Sequence, residues 1–316
     1  MGSTTQPIIK KRFGVLHFGR VSPSIGDTLN FLLTGGTGFL GINLAKKILS
    51  QNNHLTLVSR NSPESKSQIS ELVALGAESI NCTETNYLSK VMSSNKKFDV
   101  VIHLAAHYSR KHNESEVRPM LDAAVTLGSE MLEIAKNQKS RFFHAGSYLE
   151  YMDEEVHGRS LYVESKRAFE HIARYYAKSE SVAVTKMIFF DTYGKGDSRD
   201  KVLNKMFAAK LAHSKVTLNN PHQLIDLTHV SDVVEGILQT VINPWVEVVR
   251  INSGNFIKIA SLQELVLQIS ETSPIEDKTS DELLDDFPAL AFNPPDHWIP
   301  KVGLRVGLKR MQETEF

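Results

Sequence analysis

The stretch TGGTGFLG, Thr34 to Gly41, decides the fold through its position in the chain. An apolar run, Leu29 to Leu33, precedes it, and an amphipathic segment, Ile42 to Leu49, follows it. This order predicts a strand, a glycine turn and a helix. The first backbone N–H groups of such a helix have no partner, and the helix dipole adds partial positive charge there. The turn therefore predicts a binding site for the pyrophosphate of a dinucleotide.

The glycines of this turn have separate predicted roles. Gly35 takes the tight turn, Gly38 lets the backbone approach the phosphates, and Gly41 lets the helix and the strand pack closely. The spacing is TGxxGxxG rather than the GxGxxG of ordinary dinucleotide-binding dehydrogenases. The predicted cofactor-binding residues of the turn are Gly35, Thr37, Gly38, Phe39, Leu40 and Gly41.

Composition narrows the class of protein. The chain has 316 residues, of which 41% are hydrophobic, so it can bury a large core. Lys plus Arg and Asp plus Glu both number 36, so no net charge favours nucleic acid or an anionic membrane, and a small-molecule partner is expected. The single cysteine, Cys82, fits a reducing compartment. No apolar run approaches the roughly 18 residues of a membrane span. We expect a soluble cytoplasmic protein.

Strands alternate with helices along the chain, which predicts an α/β fold with a parallel sheet covered on both faces. We predict a Rossmann-type doubly wound sheet with a smaller C-terminal substrate-binding lobe. The predicted divisions are an N-terminal extension (1–27), a dinucleotide-binding domain (28–190, with 225–255 returning to it) and the lobe (191–224 and 256–316). The predicted strands are Leu29–Leu33, His54–Arg60, Glu78–Cys82, Phe98–Ala106, Arg141–Ser147, Val182–Phe190 and Val246–Ser253, and the two long helices are Glu114–Asn137 and Leu161–Ala177.

Two strand ends predict further cofactor contacts. Ser59 and Arg60 end the second strand, where the adenosine ribose of a dinucleotide lies. A hydroxyl and a guanidinium suit a 2′-phosphate, so we favour NADP(H) over NAD(H), and an exposed arginine without this role is the alternative. The fourth predicted strand, Phe98–Ala106, ends in Leu104, Ala105 and Ala106, as expected where the backbone runs close beneath a cofactor.

His103 and His107 stand four residues apart, a spacing that two metal ligands can have. They straddle a strand end rather than share a helix face, and the segment lacks the HExxH pattern. We predict no metal site.

YVESK, Tyr162 to Lys166, falls at the start of a predicted helix, so the phenol and the ammonium share one face. A neighbouring lysine stabilises a phenolate and is expected to lower the pKa of the tyrosine towards the working range. Ser147 lies fifteen residues before Tyr162 at the carboxyl end of a strand, where such sheets bind ligands. Alone, the tyrosine and lysine could be an ordinary pair on a solvated helix. Together with the glycine turn, Ser147, Tyr162 and Lys166 predict a catalytic site.

With these motifs, Leu29 to Met311 resembles the extended short-chain dehydrogenase/reductase family, the NAD-dependent epimerase/dehydratase group that acts on nucleotide sugars. The resemblance includes HLAA, FFDTYGKGD (Phe189 to Asp197), QLIDLTHVSDVV (Gln223 to Val234) and WIPKVGLRVGLKR (Trp298 to Arg310). It implies that Tyr162 is the acid/base, that Lys166 also holds the nicotinamide ribose, and that Ser147 hydrogen-bonds the reacting oxygen. The implied substrate-binding residues are Ser147, Tyr148, Asp191, Arg199 and Gln223.

The resemblance also bears on the reaction. Sugar-nucleotide 4,6-dehydratases of this family need an adjacent Asp-Glu pair after the hydroxyl residue to eliminate water. This chain has Tyr148 and Leu149 there, which cannot perform that proton transfer, so we predict that it is not a 4,6-dehydratase. FDTYG and QLIDL look most like the CDP-paratose and CDP-abequose synthase branch, which reduces a 4-keto-3,6-dideoxy sugar on CDP. An NADPH-dependent 4-ketoreductase is therefore the leading hypothesis. A nucleotide-sugar 4-epimerase and a non-catalytic dinucleotide-binding protein are the alternatives. Members of this family commonly pair these two long helices with their copies in a second subunit, so the resemblance implies a homodimer.

Overall fold

The computed structural model describes residues 28–60, 62–109, 111–152, 160–269 and 291–312. The predicted N-terminal extension, 1–27, lies outside the described residues. None of the helices within the described ranges is long and apolar enough to cross a membrane.

Ten strands and ten α-helices carry the described fold. The strands are β1 Asn30–Thr34, β2 His54–Ser59, β3 Glu78–Asn81, β4 Val100–His103, β5 Arg141–Ser147, β6 Val184–Phe189, β7 Asp191–Tyr193, β8 Leu224–His229, β9 Val248–Ile251 and β10 Phe256–Lys258. The helices are α1 Phe39–Ser50, α2 Lys66–Ala74, α3 Tyr87–Ser93, α4 Glu114–Leu121, α5 Leu127–Gln138, α6 Leu161–Ser179, α7 Val202–Leu211, α8 Val230–Ile242, α9 Ile259–Gln268 and α10 Leu304–Gln312.

The large sheet has seven strands in the order β3-β2-β1-β4-β5-β6-β9, and every pair is parallel. The strand order reverses between β1 and β4, which leaves a crevice at the carboxyl ends of these strands. This confirms the predicted Rossmann-type α/β fold. The glycine turn follows β1 directly, so it lies at this crevice.

The apolar strands are buried on both faces, as a helix-covered parallel sheet requires. In β1, Phe31 and Leu33 pack into the cluster on the side of α1 and α8, while Leu32 packs into the opposite cluster with side chains of α5 and α6. All three are at most 2% exposed. Each such burial stabilises the fold by about 1.5 to 3 kcal/mol, so β1 anchors the turn that follows it.

A second sheet has three strands in the order β10-β8-β7, with its own small hydrophobic core. Within the segment 225–255 that was predicted to return to the dinucleotide-binding domain, β8 lies in this second sheet, whereas α8 and β9 do return. β8 belongs to the second sheet because it pairs in parallel with β7. The chain enters this sheet directly from the large one, since only Phe190 separates β6 from β7. The division into a domain and a lobe stays a prediction.

The predicted long helix Glu114–Asn137 is interrupted. Asn113 begins α4 with a capping box, Pro119 lies inside α4, and the chain widens into a π-turn at Asp122–Thr126 before α5. Proline lacks the N–H that would bond to the preceding turn, so the regular helical ladder is already incomplete here. The apolar pattern did not predict this widening, because it is a single turn inside an otherwise α-helical segment.

Candidate active site at the carboxyl edge of the sheet

The glycine turn has almost no space for side chains. Gly35 has a φ of 72°, and an added Cβ would lie 2.6 Å from the backbone nitrogen of Ala105. A Cβ at Gly41 would collide with the carbonyl oxygen of Gly35. Gly38 differs, because it is exposed and the nearest atom to an added Cβ is 3.5 Å away. Gly35 and Gly41 thus serve the packing of the turn, and Gly38 keeps its outer side open.

The start of α1 suits an anionic group. Gly38 is the N-cap, provides no side-chain hydrogen bond, and no acidic residue occupies the first turn. The first turn of α1 begins with Phe39, Leu40 and Gly41, and Thr37 lies in the turn just before the helix. Such N–H groups bind phosphate oxygens. The residues present therefore fit the pyrophosphate of a dinucleotide.

The end of β2 offers a matching ribose site. The hydroxyl oxygen of Ser59 is buried and has no hydrogen-bond partner, and Arg60 beside it is exposed. A buried polar atom without a partner costs about 1 to 3 kcal/mol, which a bound hydroxyl or phosphate oxygen would recover. Both residues fit the predicted adenosine ribose.

The segment after β4 closes the crevice from the other side. The Ala105 N–H donates to the Thr34 hydroxyl at 3.3 Å, which holds Leu104 and Ala105 against the glycine turn, and Ala106 follows as an exposed residue. The same hydroxyl bonds the His103 ring at 2.8 Å, so His103 is a buried structural side chain. His107 instead pairs with Glu116 at 3.3 Å. The described residues hold no cluster of three or more potential metal ligands.

Ser147, Tyr162 and Lys166 come together at this edge. Ser147 ends β5, and Ser160 caps α6 by accepting a hydrogen bond from Val163 N at 3.3 Å, which fixes where Tyr162 and Lys166 begin the helix. A hydrogen bond joins the side chains of Tyr162 and Ser147. The Lys166 ammonium donates to the Ala145 carbonyl at 2.8 Å and lies 5.4 Å from the centre of the Tyr162 ring.

The electrostatics of this trio differ from the sequence expectation. Burial raises the pKa of Tyr162, and the charge of Glu150 and the neighbouring Tyr108 raise it further, against lowering effects of Arg199 and the Ser147 hydrogen bond. Burial also lowers the pKa of Lys166 to about 8. The net shift of the tyrosine pKa is thus opposite to the expected lowering, because loss of solvent around the phenol outweighs the groups that lower it. Tyr162 is consequently a protonated phenol at neutral pH.

The predicted substrate residues divide into two groups. Tyr148 donates to Asp191 at 3.0 Å and stacks on Phe190 with ring centres 5.0 Å apart, so Tyr148 and Asp191 adjoin Ser147. Lys201 bonds the other Asp191 oxygen at 2.6 Å. Gln223 lies apart, four residues before the Leu227 that pairs with Asp191, which is about 13 Å along the strand.

Arg199 reaches towards the glycine turn. It forms two hydrogen bonds with Asp197, at 2.6 and 2.7 Å, and one with the Thr192 carbonyl at 2.7 Å. Its guanidinium carbon also lies 4.7 Å from the centre of the Phe39 ring. Arg199, which follows β7, therefore contacts Phe39 at the start of α1, and its charge also lowers the pKa of Tyr162.

Sequence reasoning missed four nearby residues: Tyr108, Glu150, Lys186 and Lys201. Tyr108 packs edge-on against Tyr162 at 5.0 Å, and Lys201 lies 5.8 Å from the Tyr108 ring. Two signals were available, since Ser147 and Glu150 have capping-box spacing and Lys186 is the lone cation of an apolar strand. Neither Tyr108 nor Lys201 has a sequence signal, because tertiary packing alone brings them here.

Comparison with known proteins finds similar sequences over most of the chain. The model of the NAD dependent epimerase/dehydratase family matches residues 31–248. The chain is 25% identical to UDP-glucuronic acid decarboxylase 1 of Arabidopsis thaliana over 315 residues, covering 93% of the chain and 71% of that protein. It is 26% identical to CDP-abequose synthase of Yersinia pseudotuberculosis over 217 residues, covering 67% of the chain and 73% of that protein.

Solved structures share the fold. The UDP-glucuronic acid 4-epimerase of Bacillus cereus, in complex with UDP-glucuronic acid and NAD, superposes with a TM-score of 0.72. The match covers 90% of this chain and 98% of that chain at 22% identity. At this identity the likeness extends to the architecture alone.

Proposed function

The chain belongs to the NAD dependent epimerase/dehydratase family, and from this premise we propose that it reduces a 4-keto-3,6-dideoxy sugar nucleotide with NADPH. The observation that carries the proposal is the placement of Ser147 and Lys166 beside a Tyr162 that is kept protonated. A protonated phenol suits the donation of a proton, as a carbonyl reduction needs. The likeness to CDP-abequose synthase supports this substrate class.

When bound at the glycine turn, NADPH would supply the hydride that a carbonyl reduction needs. The Tyr162 hydroxyl gives its proton to the carbonyl oxygen, and the Ser147 hydroxyl donates a hydrogen bond to the same oxygen as negative charge develops. Lys166 stands close enough to the phenol ring to stabilise the phenolate that remains. The product is the 4-hydroxy sugar, and a proton from solvent restores Tyr162.

We propose NADP(H) as the preferred cofactor, since Arg60 is exposed and follows the unpartnered hydroxyl of Ser59. The guanidinium would pair with a 2′-phosphate, and the Ser59 hydroxyl would bond one of its oxygens. A homodimer and a cytoplasmic location also stay predictions. Exposed apolar side chains on the two long helical segments, Leu121 at 38% and Tyr175 at 54%, support the helix-paired dimer.

The test uses the purified chain with NADPH or NADH and 4-keto sugar nucleotides on different bases. We expect stoichiometric oxidation of NADPH with a 4-hydroxy sugar as product. Tyr162→Phe should slow turnover by roughly a hundredfold to ten-thousandfold and leave NADPH binding intact, because it removes only the proton source. Interconversion of two 4-hydroxy epimers without net cofactor oxidation would instead establish an epimerase. Binding of the dinucleotide with no turnover on any sugar nucleotide would refute both.

A further inference from the structure

A buried ion pair lies directly behind Ser147. One Glu150 carboxylate oxygen accepts the Ser147 backbone N–H at 2.6 Å, and the other accepts Lys186 Nζ at 2.6 Å. The two side chains are only 2% and 4% exposed. Removing such charges from water costs several kcal/mol per ion, and apolar side chains of similar volume would often be as stable or more stable. Stability alone therefore does not account for this pair.

The backbone makes room for the pair at Gly146. Lys186 comes from β6, the neighbour of β5, and its Cε would lie 2.5 Å from a Cβ at Gly146. The same hypothetical atom would lie 3.4 Å from the Glu150 carboxylate. The absence of a side chain at Gly146 thus leaves the space through which Lys186 reaches Glu150.

Glu150 fixes the geometry of Ser147. Its bond to the Ser147 N–H and the bond from Leu149 N to the Ser147 hydroxyl, at 3.3 Å, form a capping box around the turn after β5. Arg167 of α6 holds the same turn by donating to the Glu150 carbonyl at 2.6 Å. The turn and the helix that carries Tyr162 are therefore tied together through Glu150.

The same carboxylate acts on the two ionisable groups of the trio. The negative charge of Glu150 raises the pKa of Lys166, against the larger lowering by burial, and raises the pKa of Tyr162. Lys186 lowers the pKa of Lys166. The titratable and charged groups that face the pair are Lys166, Tyr162, Tyr151, Arg167, Glu170, Arg174 and His144.

We propose that Glu150, held by Lys186, is a positioning residue that orients Ser147 and places a fixed negative charge beside Lys166 and Tyr162. The catalytic part of this inference rests on the proposed function. Glu170 offers a matched control, because it also pairs with Lys186 at 2.6 Å but is 28% exposed and pairs with Arg174 as well. The groups that shift the pKa of Lys166 and of Tyr162 include Glu150 but not Glu170.

The activity test compares Glu150→Gln with Glu170→Gln. We expect Glu150→Gln to lower kcat by about tenfold to a hundredfold, with KM for NADPH changed less than threefold. The alkaline limb of its pH profile should move to lower pH, because both Lys166 and Tyr162 lose a neighbour that keeps them protonated. Glu170→Gln should retain wild-type kcat and pH profile. Equal effects of the two variants, or a wild-type profile for Glu150→Gln, would overturn the proposal.

A second measurement does not depend on turnover. The double variant Glu150→Met and Lys186→Met replaces the pair by apolar side chains of similar length, a change that buried ion pairs commonly tolerate. We expect it to fold, with backbone hydrogen exchange at Ser147 at least tenfold faster than in Glu170→Gln, because the acceptor of the amide is gone. Unchanged exchange at Ser147 would overturn the positioning role. If the wild type oxidised no NADPH but this exchange result held, the proposed function alone would fail.

Discussion

Replacing Gly41 by alanine should damage the fold at the glycine turn. The added Cβ would collide with the Gly35 carbonyl oxygen and lie 2.8 Å from both the Gly35 carbonyl carbon and the Gly36 Cα. All three atoms are backbone, so the start of α1 must move away from β1. Overpacking costs about 1 to 3 kcal/mol, and the helix preference of alanine returns at most about 1 kcal/mol. We expect Gly41→Ala to lose about 2 kcal/mol of unfolding free energy.

Gly38→Ala is the matched variant and should leave the fold intact. Gly38 has φ −77° and ψ 167°, a conformation open to any residue, and a Cβ there meets nothing closer than 3.5 Å. Its unfolding free energy should stay within about 0.5 kcal/mol of the wild type. The methyl group would nevertheless stand at the open start of α1. We expect the Kd for NADPH to rise about tenfold or more, a loss of about 1.4 kcal/mol.

Urea denaturation followed by tryptophan fluorescence gives the unfolding free energies, and titration of NADPH fluorescence gives the Kd values. The two variants should separate: Gly41→Ala loses stability, and Gly38→Ala loses affinity. A Gly41→Ala protein as stable as the wild type would refute the packing argument. A Gly38→Ala protein with wild-type affinity would refute the placement of the pyrophosphate.

Three further predictions concern the cofactor, a buried charge and assembly. Arg60→Ala should weaken NADPH binding by about 1 to 3 kcal/mol and leave NADH binding unchanged, and equal losses in parallel titrations would remove the basis for NADP(H). Because the pKa of Lys166 is lowered to about 8, from about 10.4 unfolded, the unfolded chain binds more protons between these values and stability rises with pH there. Lys166→Met should flatten that rise in urea denaturation series at several pH values, and an unchanged slope would contradict the burial of its charge. Light scattering at micromolar concentration should give the mass of a dimer, and a monomer mass would exclude the helix-paired assembly.

The sequence predicted all seven strands of the large sheet. Most of them are apolar runs that the structure buries, whereas β3 (Glu78–Asn81) has polar, partly exposed residues and a weaker pattern. The small sheet was missed for the opposite reason. Its outer strands β7 and β10 have three residues each, too few to show a period, and they become strands only by pairing with β8. The sequence also did not predict the pairing of Lys201 with Asp191, because the folding of the chain between them brings the two side chains together. Ser147 and YVESK were recognisable because chemistry restricts their residue types.

The groups around Tyr148 support our proposal of a reduction rather than an elimination. Burial raises the pKa of Tyr148 strongly, so its phenol stays protonated, and its proton is already donated to Asp191. Lys201 bonds the second oxygen of that carboxylate, so Asp191 offers no free base beside Ser147. Elimination of water would need a carboxylate pair that can give and accept protons here. With Tyr148 and Asp191 both engaged, Tyr162 is the group beside Ser147 that we propose as the proton donor, and a single donor suits a carbonyl reduction better than an elimination.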